Sequence, residues 1–351
     1  MNIILPSSTY KSLQLYSLIS RRVPQILAQI SGVEPRPFVG RPVIDWPTLQ
    51  LKPQRVAKFL QTYINHRMPL TNGTHGIRLH GLTDFDFQFN RINYAQESKT
   101  SLALIADQID LTSQLAQIGQ VDDQKYPSIL TLHIGHSRGD KKAELARLAQ
   151  VINEIAPLTQ AKRVIINFES LPRFANGYYE LGSDLNDFGE FFSQLKSLDS
   201  VGLTFDLAHS LVCYYGDYQK IKADLIKNNL LPLINYLHIT VPAIGYLARP
   251  IALGRQHRFF IADILSILLF YQGDNHAGLL GQPVEEKEKW LDLVDFLVKN
   301  SKVADSRFNV VNLELGTKIW GTSKGATVKD VDYTLTRVKQ RLGLTVEPSN
   351  N

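Results

Sequence analysis

Acidic and histidine residues recur at the ends of short apolar runs in this chain, and their side chains are of the types that bind metal ions. They are His80 in RLHG, His133 in TLHIGH, Glu169 in INFES, Asp206 and His209 in LTFDLAH, His238 in YLHIT, Asp274 and His276 in GDNHAG, and Glu314 in VNLELG. Carboxylates and imidazoles are the ligands expected of Zn²⁺, Mn²⁺ or Fe²⁺, and a set without thiolates disfavours a purely structural zinc site. If these side chains converge, the pattern predicts a metal centre with more than one ion.

Two pairs within the series have spacings that suit binding of a single ion. Asp206 ends an apolar run and His209 follows three residues later, so both side chains can reach one cavity from a strand-to-loop turn. Asp274 and His276 stand two residues apart and point the same way from an extended backbone. A single histidine on a strand is more often a hydrogen-bonded structural residue than a ligand, but five of the nine histidines share this position. That recurrence favours a role as ligands.

Two further residues are candidates for contact with a substrate. His136 lies two residues after His133 in the same motif. Arg255 belongs to the basic, proline-broken stretch GYLARPIALGRQHRFF, inside the segment 241–273 that separates the last two histidines of the series. We interpret that segment as an insertion that serves as a lid, as a dimer contact or as a hairpin of helices.

The elements that must position these residues alternate along the chain. Strand-like runs are predicted at 2–5, 42–44, 77–80, 129–133, 164–169, 201–206, 236–240 and 310–314. Amphipathic helices are predicted at 10–30, 53–65, 101–118, 141–155, 185–198, 218–228, 285–298 and 328–342. This alternation implies a parallel sheet with helical crossovers, and eight such units close a (β/α)8 TIM barrel.

We therefore predict a single TIM-barrel domain over 1–344, with 241–273 inserted in it and a disordered tail at 345–351. Active sites of such barrels lie at the carboxyl ends of the strands, which is where every member of the series would lie. The loop 81–94, GLTDFDFQFNRINY, is rich in aromatic and acidic residues and would overhang that face. It is a candidate substrate loop.

The composition limits the classes of protein to which this chain can belong. The 351 residues are 44% hydrophobic and 20% charged, which is typical of a globular protein, and the net charge of +5 permits a polyanionic partner without requiring one. Cys213 is the only cysteine, which excludes an intrachain disulfide and a zinc ribbon. The first residues lack the pattern of a signal peptide, and no apolar run is long enough to span a bilayer. We expect a cytoplasmic protein that does not enter membranes, and the sequence leaves its oligomeric state open.

The order of the motifs resembles a known superfamily. The run LHIGHSRGDKKAELARLAQVINEI, followed by VIINFES, VGLTFDLAHSLVCYY and LHIT, is similar to the xylose isomerase-like TIM barrels, which include endonuclease IV and the ketose 3-epimerases. The resemblance covers 77–342. It implies the same barrel and a divalent metal site built from the residues of the series.

Similarity to endonuclease IV implies a trinuclear zinc centre that activates water for attack on a phosphodiester or phosphate ester. All nine residues of the series match that ligand pattern in order. The resemblance distributes the ligands over three ions as His80 with His133, Asp206 with His238, and His209 with Asp274 and His276. Glu169 and Glu314 would bridge the ions or take part in catalysis. Because a mononuclear enzyme does not need all of these ligands, we place the hydrolase first, acting on a nucleic acid or a small phosphate ester.

Three alternatives stay open. The sugar epimerases of the superfamily use one ion, held by residues similar to Glu169, Asp206, His238 and Glu314, and their two glutamates move protons at carbons beside a carbonyl. Multinuclear non-haem iron oxidases also have an Asp-x-His followed by a segment resembling PVEEKEKW. A barrel that has lost catalysis and serves as a binding module is the third. Zinc is the first expectation for the metal, with manganese, iron and magnesium as alternatives.

Overall fold

Eight parallel strands form the central sheet of the protein in a computed structural model. In chain order they are β1 (Asn2–Pro6), β2 (Gly32–Glu34), β3 (Arg78–His80), β4 (Ser128–His133), β5 (Val164–Glu169), β6 (Val201–Asp206), β7 (Ile234–His238) and β8 (Val310–Asn312). The order across the sheet is β2-β1-β8-β7-β6-β5-β4-β3. The two edges meet where the backbone N–H of His80 donates to the carbonyl of Pro35 at 3.1 Å. The sheet is therefore a nearly closed (β/α)8 barrel, as predicted.

The structure describes residues 1–7, 10, 13–14, 17, 20–37, 43–45, 50–65, 69–82, 93–95, 98–137, 139–171, 179–242, 276–280, 282–315 and 328–345. The predicted insertion at 241–273 lies outside these residues except for its first two, and most of the candidate substrate loop 81–94 and of the tail 345–351 lies outside them as well.

Helices alternate with the strands. The longer ones are Arg22–Ala28, Pro53–Asn65, Ser98–Ile118, Lys141–Lys162, Leu185–Phe192, Leu207–Cys213, Tyr218–Lys227, Val284–Asn300 and Val328–Arg341. Every residue of β4, β5, β6 and β7 is buried. Burial of both faces is what a parallel sheet requires when helices cover its outside and side chains fill its interior.

The prediction of the second strand was wrong. The barrel strand is Gly32–Glu34, whereas Ile44–Asp45 pairs antiparallel with Gln50–Leu51 in a separate two-stranded sheet. A side chain at Gly32 would meet the backbone carbonyl oxygen of Leu70 at 2.6 Å, so only glycine permits this close approach. The strand is three residues long and contains Gly and Glu, which are both depleted in strands. The local sequence therefore gives little indication that residues 32–34 form a strand.

Other elements differ from the prediction mainly at their ends. The seventh strand is Ile234–His238 rather than 236–240, so His238 is its last residue, and the eighth ends at Asn312, two residues before Glu314. The helix predicted over 141–155 continues through Pro157 to Lys162. The helix predicted over 185–198 ends at Phe192.

No helix in the described part of the chain combines the length and the apolar character needed to cross a membrane.

Candidate active site

The carboxyl ends of the barrel strands bring together residues that are far apart in the sequence. Strand pairing places His133 beside Glu169, and Asp206 beside His238. Since paired residues of parallel strands stand at the same height, their side chains reach one region of the barrel mouth. All four are buried, and Glu314, after the eighth strand, is buried with them.

Glu169 lies at the centre of the group. Its Oε2 atom is 3.0 Å from Nε2 of His80 and 3.4 Å from Nε2 of His133. Its Oε1 atom is 3.1 Å from Nδ1 of His238 and 3.6 Å from Nδ1 of His209. One carboxylate therefore contacts four of the histidines that the sequence singled out.

Carboxylates crowd around one nitrogen of His238. Its Nδ1 is 2.6 Å from Oε2 of Glu314, 3.1 Å from Oε1 of Glu169 and 3.6 Å from Oδ2 of Asp206. Glu169, Asp206, His238 and Glu314 each offer one donor atom, and these four atoms lie within 4.8 Å of one another. This is the donor set that the resemblance to the sugar epimerases implies.

Asp206 also begins a helix. The prediction of a strand-to-loop turn at Asp206–His209 was wrong, because Leu207–Cys213 is helical and Asp206 is its N-cap, with Oδ1 accepting the backbone N–H of His209 at 2.7 Å. The Nδ1–H of His209 donates to the carbonyl of Ser170 at 2.8 Å. Nε2 is therefore the nitrogen that a neutral His209 ring can offer to a metal ion.

Glu34 and Arg36 belong to the site, although the sequence did not indicate them. Glu34, fully buried at the end of β2, accepts a hydrogen bond from the hydroxyl of Tyr236 at 2.7 Å and lies 3.0 Å from Nε2 of His238. Arg36 donates to Oε1 of Glu34 at 2.8 Å and also donates to Oε1 of Glu314. Glu34 is the last residue of the strand Gly32–Glu34, which was not predicted, and Arg36 lies two residues beyond it, so neither was assigned to the barrel mouth.

Buried negative charge dominates the electrostatics of the site. Burial alone would raise the pKa of Glu169, but the charges of His238 and His80 outweigh it and hold the pKa well below its ordinary value. Burial would lower the pKa of His238, but Glu314 and Glu34 outweigh it and raise the pKa well above its ordinary value. In both cases the carboxylates favour a positive charge between them, which a proton or a metal ion can supply.

The donor atoms fit a divalent cation. The Oδ2 atom of Asp206 and the Oε2 atom of Glu169 are buried and accept no hydrogen bond from the described residues. Leaving buried carboxylate oxygens without donors is costly, and a cation bound by them would offset that cost. His80, Glu169 and His238 form a second group of donors, which shares Glu169 and His238 with the first. A carboxylate and imidazole set suits manganese, zinc, iron or, with fewer imidazoles, magnesium.

For three of the expected site residues no side chain is described, so they cannot be placed in this cluster. Asp274 and Arg255 lie outside the described residues, and for His276 only the backbone is described, paired with Pro242. His136 is buried in a short strand pair opposite Glu180.

Of the histidines interpreted as structural or surface residues, His66 and His257 lie outside the described residues. His75 is buried, with its ring nitrogens 2.8 Å from the carbonyl of Gly76 and 3.2 Å from that of Ser31. These contacts fit the structural role that the sequence indicated.

A sequence model of the family described as xylose isomerase-like TIM barrel matches residues 30–242. The chain belongs to this family. The matched region contains all the acidic and histidine residues described above for the site except Glu314: Glu34, His80, His133, Glu169, Asp206, His209 and His238. No curated protein matches the chain in a sequence search.

Solved structures share the fold of this xylose isomerase-like barrel. A crystal structure of D-psicose 3-epimerase in the presence of D-fructose is 12% identical, with a TM-score of 0.53 over 98% of this chain and 97% of the other. A protein from Anabaena variabilis ATCC 29413 described as a putative sugar phosphate isomerase/epimerase is 12% identical, with a TM-score of 0.51 over 97% of this chain and 98% of the other. Mannonate dehydratase from Streptococcus suis serotype 2 is 12% identical, with a TM-score of 0.50 over 92% and 91%. At this identity the likeness establishes the fold.

Proposed function

We propose that the protein is a metal-dependent isomerase or epimerase of a sugar or sugar phosphate, the mononuclear alternative, rather than the endonuclease IV-like hydrolase. The observation that carries the proposal is the placement of Glu169 and Glu314 against the same nitrogen of His238, at 3.1 and 2.6 Å. Two carboxylates at one buried point suit a reaction that removes a proton from a carbon and returns it. Sugar epimerases and isomerases with the same fold support this choice.

The ion would be held by Glu169, Asp206, His238 and Glu314. When bound, a divalent cation would polarise the carbonyl of the substrate and make the hydrogen on the adjacent carbon more acidic. The three carboxylates and one imidazole carry enough negative charge to bind Mn²⁺ or Mg²⁺ firmly, and a site with one imidazole and no thiolate does not demand zinc.

The two glutamates would divide the proton chemistry. One takes the proton from the carbon beside the carbonyl, and the other supplies a proton to the same or the neighbouring carbon. Glu314 is additionally held by Arg36, which keeps that carboxylate oriented towards the site. His80 and His133 border Glu169 on its other side, with Nε2 of each ring facing Oε2 of that carboxylate.

The hydrolase is the second candidate, and the contact between His80 and Glu169 is the observation that favours it. The Nδ1 atom of His80 lies 3.2 Å from the carbonyl of Gly81, so a neutral ring presents the lone pair of Nε2 to Oε2 of Glu169 at 3.0 Å. Two lone pairs at that distance repel unless a proton or a second cation lies between them. A second ion there would make the centre multinuclear.

Deuterium exchange distinguishes the two candidates whichever sugar is the substrate. The protein, loaded with Mn²⁺, is incubated in D₂O with D-fructose, with other free ketoses and with ketose phosphates, and the sugars are analysed by NMR. We expect deuterium at the carbon beside the carbonyl of at least one sugar, and no exchange with Glu169→Gln. Metal content is measured on the purified protein before Mn²⁺ is added. Hydrolysis of phosphodiesters or abasic DNA without exchange into any sugar would overturn the proposal in favour of the hydrolase, and iron at two or three per chain would favour the oxidase.

A further inference from the structure

The two ring nitrogens of His238 face carboxylates on opposite sides. Nδ1 faces the cluster of Glu169, Asp206 and Glu314, and Nε2 faces Oε2 of Glu34 at 3.0 Å. The two nitrogens of an imidazole point away from each other, so Glu34 lies behind the histidine and outside the group of four donor atoms. The position of Glu34 therefore does not suit direct contact with the ion.

We propose that Glu34 is a positioning residue that holds the Nε2–H of His238 and so keeps Nδ1 facing the metal ion. This inference rests on the proposed metal site. A neutral imidazole carries one proton, and a carboxylate at Nε2 favours the tautomer in which Nε2 is protonated and Nδ1 offers its lone pair. A histidine ligand whose other nitrogen donates to a carboxylate is also more basic and has a fixed ring orientation.

Glu34 is itself held in a charged, fixed state. The hydroxyl of Tyr236 donates to the same oxygen that faces His238, at 2.7 Å, and Arg36 donates to the other oxygen from Nε at 3.1 Å and from Nη2 at 2.8 Å. Both carboxylate oxygens are therefore occupied by donors, which prevents the side chain from turning. Tyr236 and His238 are two residues apart on β7, so their side chains share a face of that strand and can both reach Glu34.

Arg36 connects Glu34 to Glu314, the other glutamate that it contacts. Its guanidinium contacts Glu34 and Glu314 together, so one cation joins the residue behind the histidine to a proposed ligand in front of it. A planar guanidinium fixes the relative orientation of two carboxylates better than an ammonium group does. The buried Glu34 and the partly buried Arg36 thus form one hydrogen-bonded unit that sets the geometry on both sides of His238.

The test compares Glu34→Gln with the unchanged protein by two measurements that do not use turnover. Affinity for Mn²⁺ is measured from the electron paramagnetic resonance signal of the free ion. Because the loss of a carboxylate partner typically weakens metal binding by about 10- to 100-fold, we expect that loss for Glu34→Gln. The ring N–H proton of His238, identified by its absence in His238→Asn, is observed by NMR in Mg²⁺-loaded, ¹⁵N-histidine-labelled protein. We expect it far downfield in the unchanged protein and upfield of that position in Glu34→Gln.

Matched variants separate positioning from general damage. Glu144→Gln removes the charge of another buried glutamate, which lies in the first turn of the helix Lys141–Lys162 and belongs to neither group of candidate metal ligands, and should leave Mn²⁺ affinity unchanged. Tyr236→Phe removes one donor to Glu34 and should retain the downfield proton. Equal Mn²⁺ affinity in Glu34→Gln and the unchanged protein would overturn the inference, and so would an unshifted ring proton or failure of the unchanged protein to bind Mn²⁺. Weakened binding in Glu34→Gln without deuterium exchange into any sugar would uphold the inference while rejecting the isomerase.

Discussion

The carboxylate of Asp206 has two uses at once, because Oδ1 accepts the backbone N–H of His209 at 2.7 Å while Oδ2 lies 3.6 Å from Nδ1 of His238. The first contact caps the helix Leu207–Cys213, and the second places the other oxygen among the proposed metal ligands. Substitutions can separate the two roles. Asparagine caps helices about as well as aspartate but lacks its charge, whereas alanine does neither.

We expect Asp206→Asn to retain most of the stability of the protein and to weaken Mn²⁺ binding strongly, by at least about 100-fold, because one of three carboxylate ligands loses its charge. Asp206→Ala should lose the metal equally and should also lose about 1 kcal/mol of unfolding free energy with the cap. Urea denaturation of the metal-free proteins and titration with Mn²⁺ measure the two effects. Equal Mn²⁺ affinity in Asp206→Asn and the unchanged protein would remove Asp206 from the ligand set.

Glu169 is the residue whose loss should be most severe for turnover. Glu169→Gln keeps the shape of the side chain but removes both the base and a metal ligand, and we expect the turnover number to fall by at least about 1,000-fold. Exchange of deuterium into the substrate, followed by NMR, measures the step directly. His209→Gln is the matched comparison, because its Nδ1 is committed to the carbonyl of Ser170 and the proposed mononuclear site does not use it. A smaller loss in Glu169→Gln than in His209→Gln would contradict the assignment.

Metal stoichiometry tests the contact between His80 and Glu169. If one ion occupies the group of Glu169, Asp206, His238 and Glu314, the unchanged protein and His80→Gln should both bind one Mn²⁺ per chain, since His80 lies outside that group of four. Equilibrium dialysis followed by elemental analysis counts the ions. Two ions per chain in the unchanged protein and one in His80→Gln would show that a second ion lies between Nε2 of His80 and Glu169, and would restore the hydrolase as the first candidate.

The sequence predicted the barrel and most of the cluster because the strands that carry them have a clear local pattern. Residues 164–169 and 201–206 are continuous runs rich in β-branched and aromatic residues that end in an acid, and both were placed with the bounds that the structure has. The short helix after Asp206 was missed, although an aspartate before an apolar run is a known N-cap signal. Glu34 could not be found in this way. Its contact with His238 joins residues 204 positions apart. The strand that carries Glu34 can be recognised only in the folded structure, from the close packing around Gly32.

The corrected second strand gives a stability prediction. In Gly32→Ala the new methyl group would meet the carbonyl oxygen of Leu70 at 2.6 Å, and the backbone must shift to relieve the contact. We expect a loss of about 1 to 3 kcal/mol of unfolding free energy. Gly139→Ala is the control, because nothing lies within 4 Å of the added methyl group. Urea unfolding monitored by circular dichroism compares them, and equal stability of the two variants would contradict the position assigned to Gly32–Glu34.

The buried imidazole of His75 should make the unfolding free energy depend on pH. Burial and the nearby charge of Arg78 lower its pKa from 6.5 to about 4, so the folded protein binds fewer protons than the unfolded chain between these values. The contribution of His75 is therefore present above pH 6.5 and is lost as the pH falls towards 4. Between pH 7 and pH 5 the unfolding free energy should fall by roughly 2 kcal/mol on this account.

His75→Gln isolates that contribution, because glutamine can still donate a hydrogen bond to the carbonyl of Gly76 or Ser31 but does not titrate in this range. The difference in unfolding free energy between the unchanged protein and His75→Gln is measured by urea denaturation at pH 7, 6 and 5, with EDTA present so that no metal ion contributes. As the pH falls, we expect the unchanged protein to lose more unfolding free energy than His75→Gln does. A difference independent of pH would mean that Arg78 and burial do not keep the ring neutral, and that protonated His75 is held by both carbonyl oxygens instead.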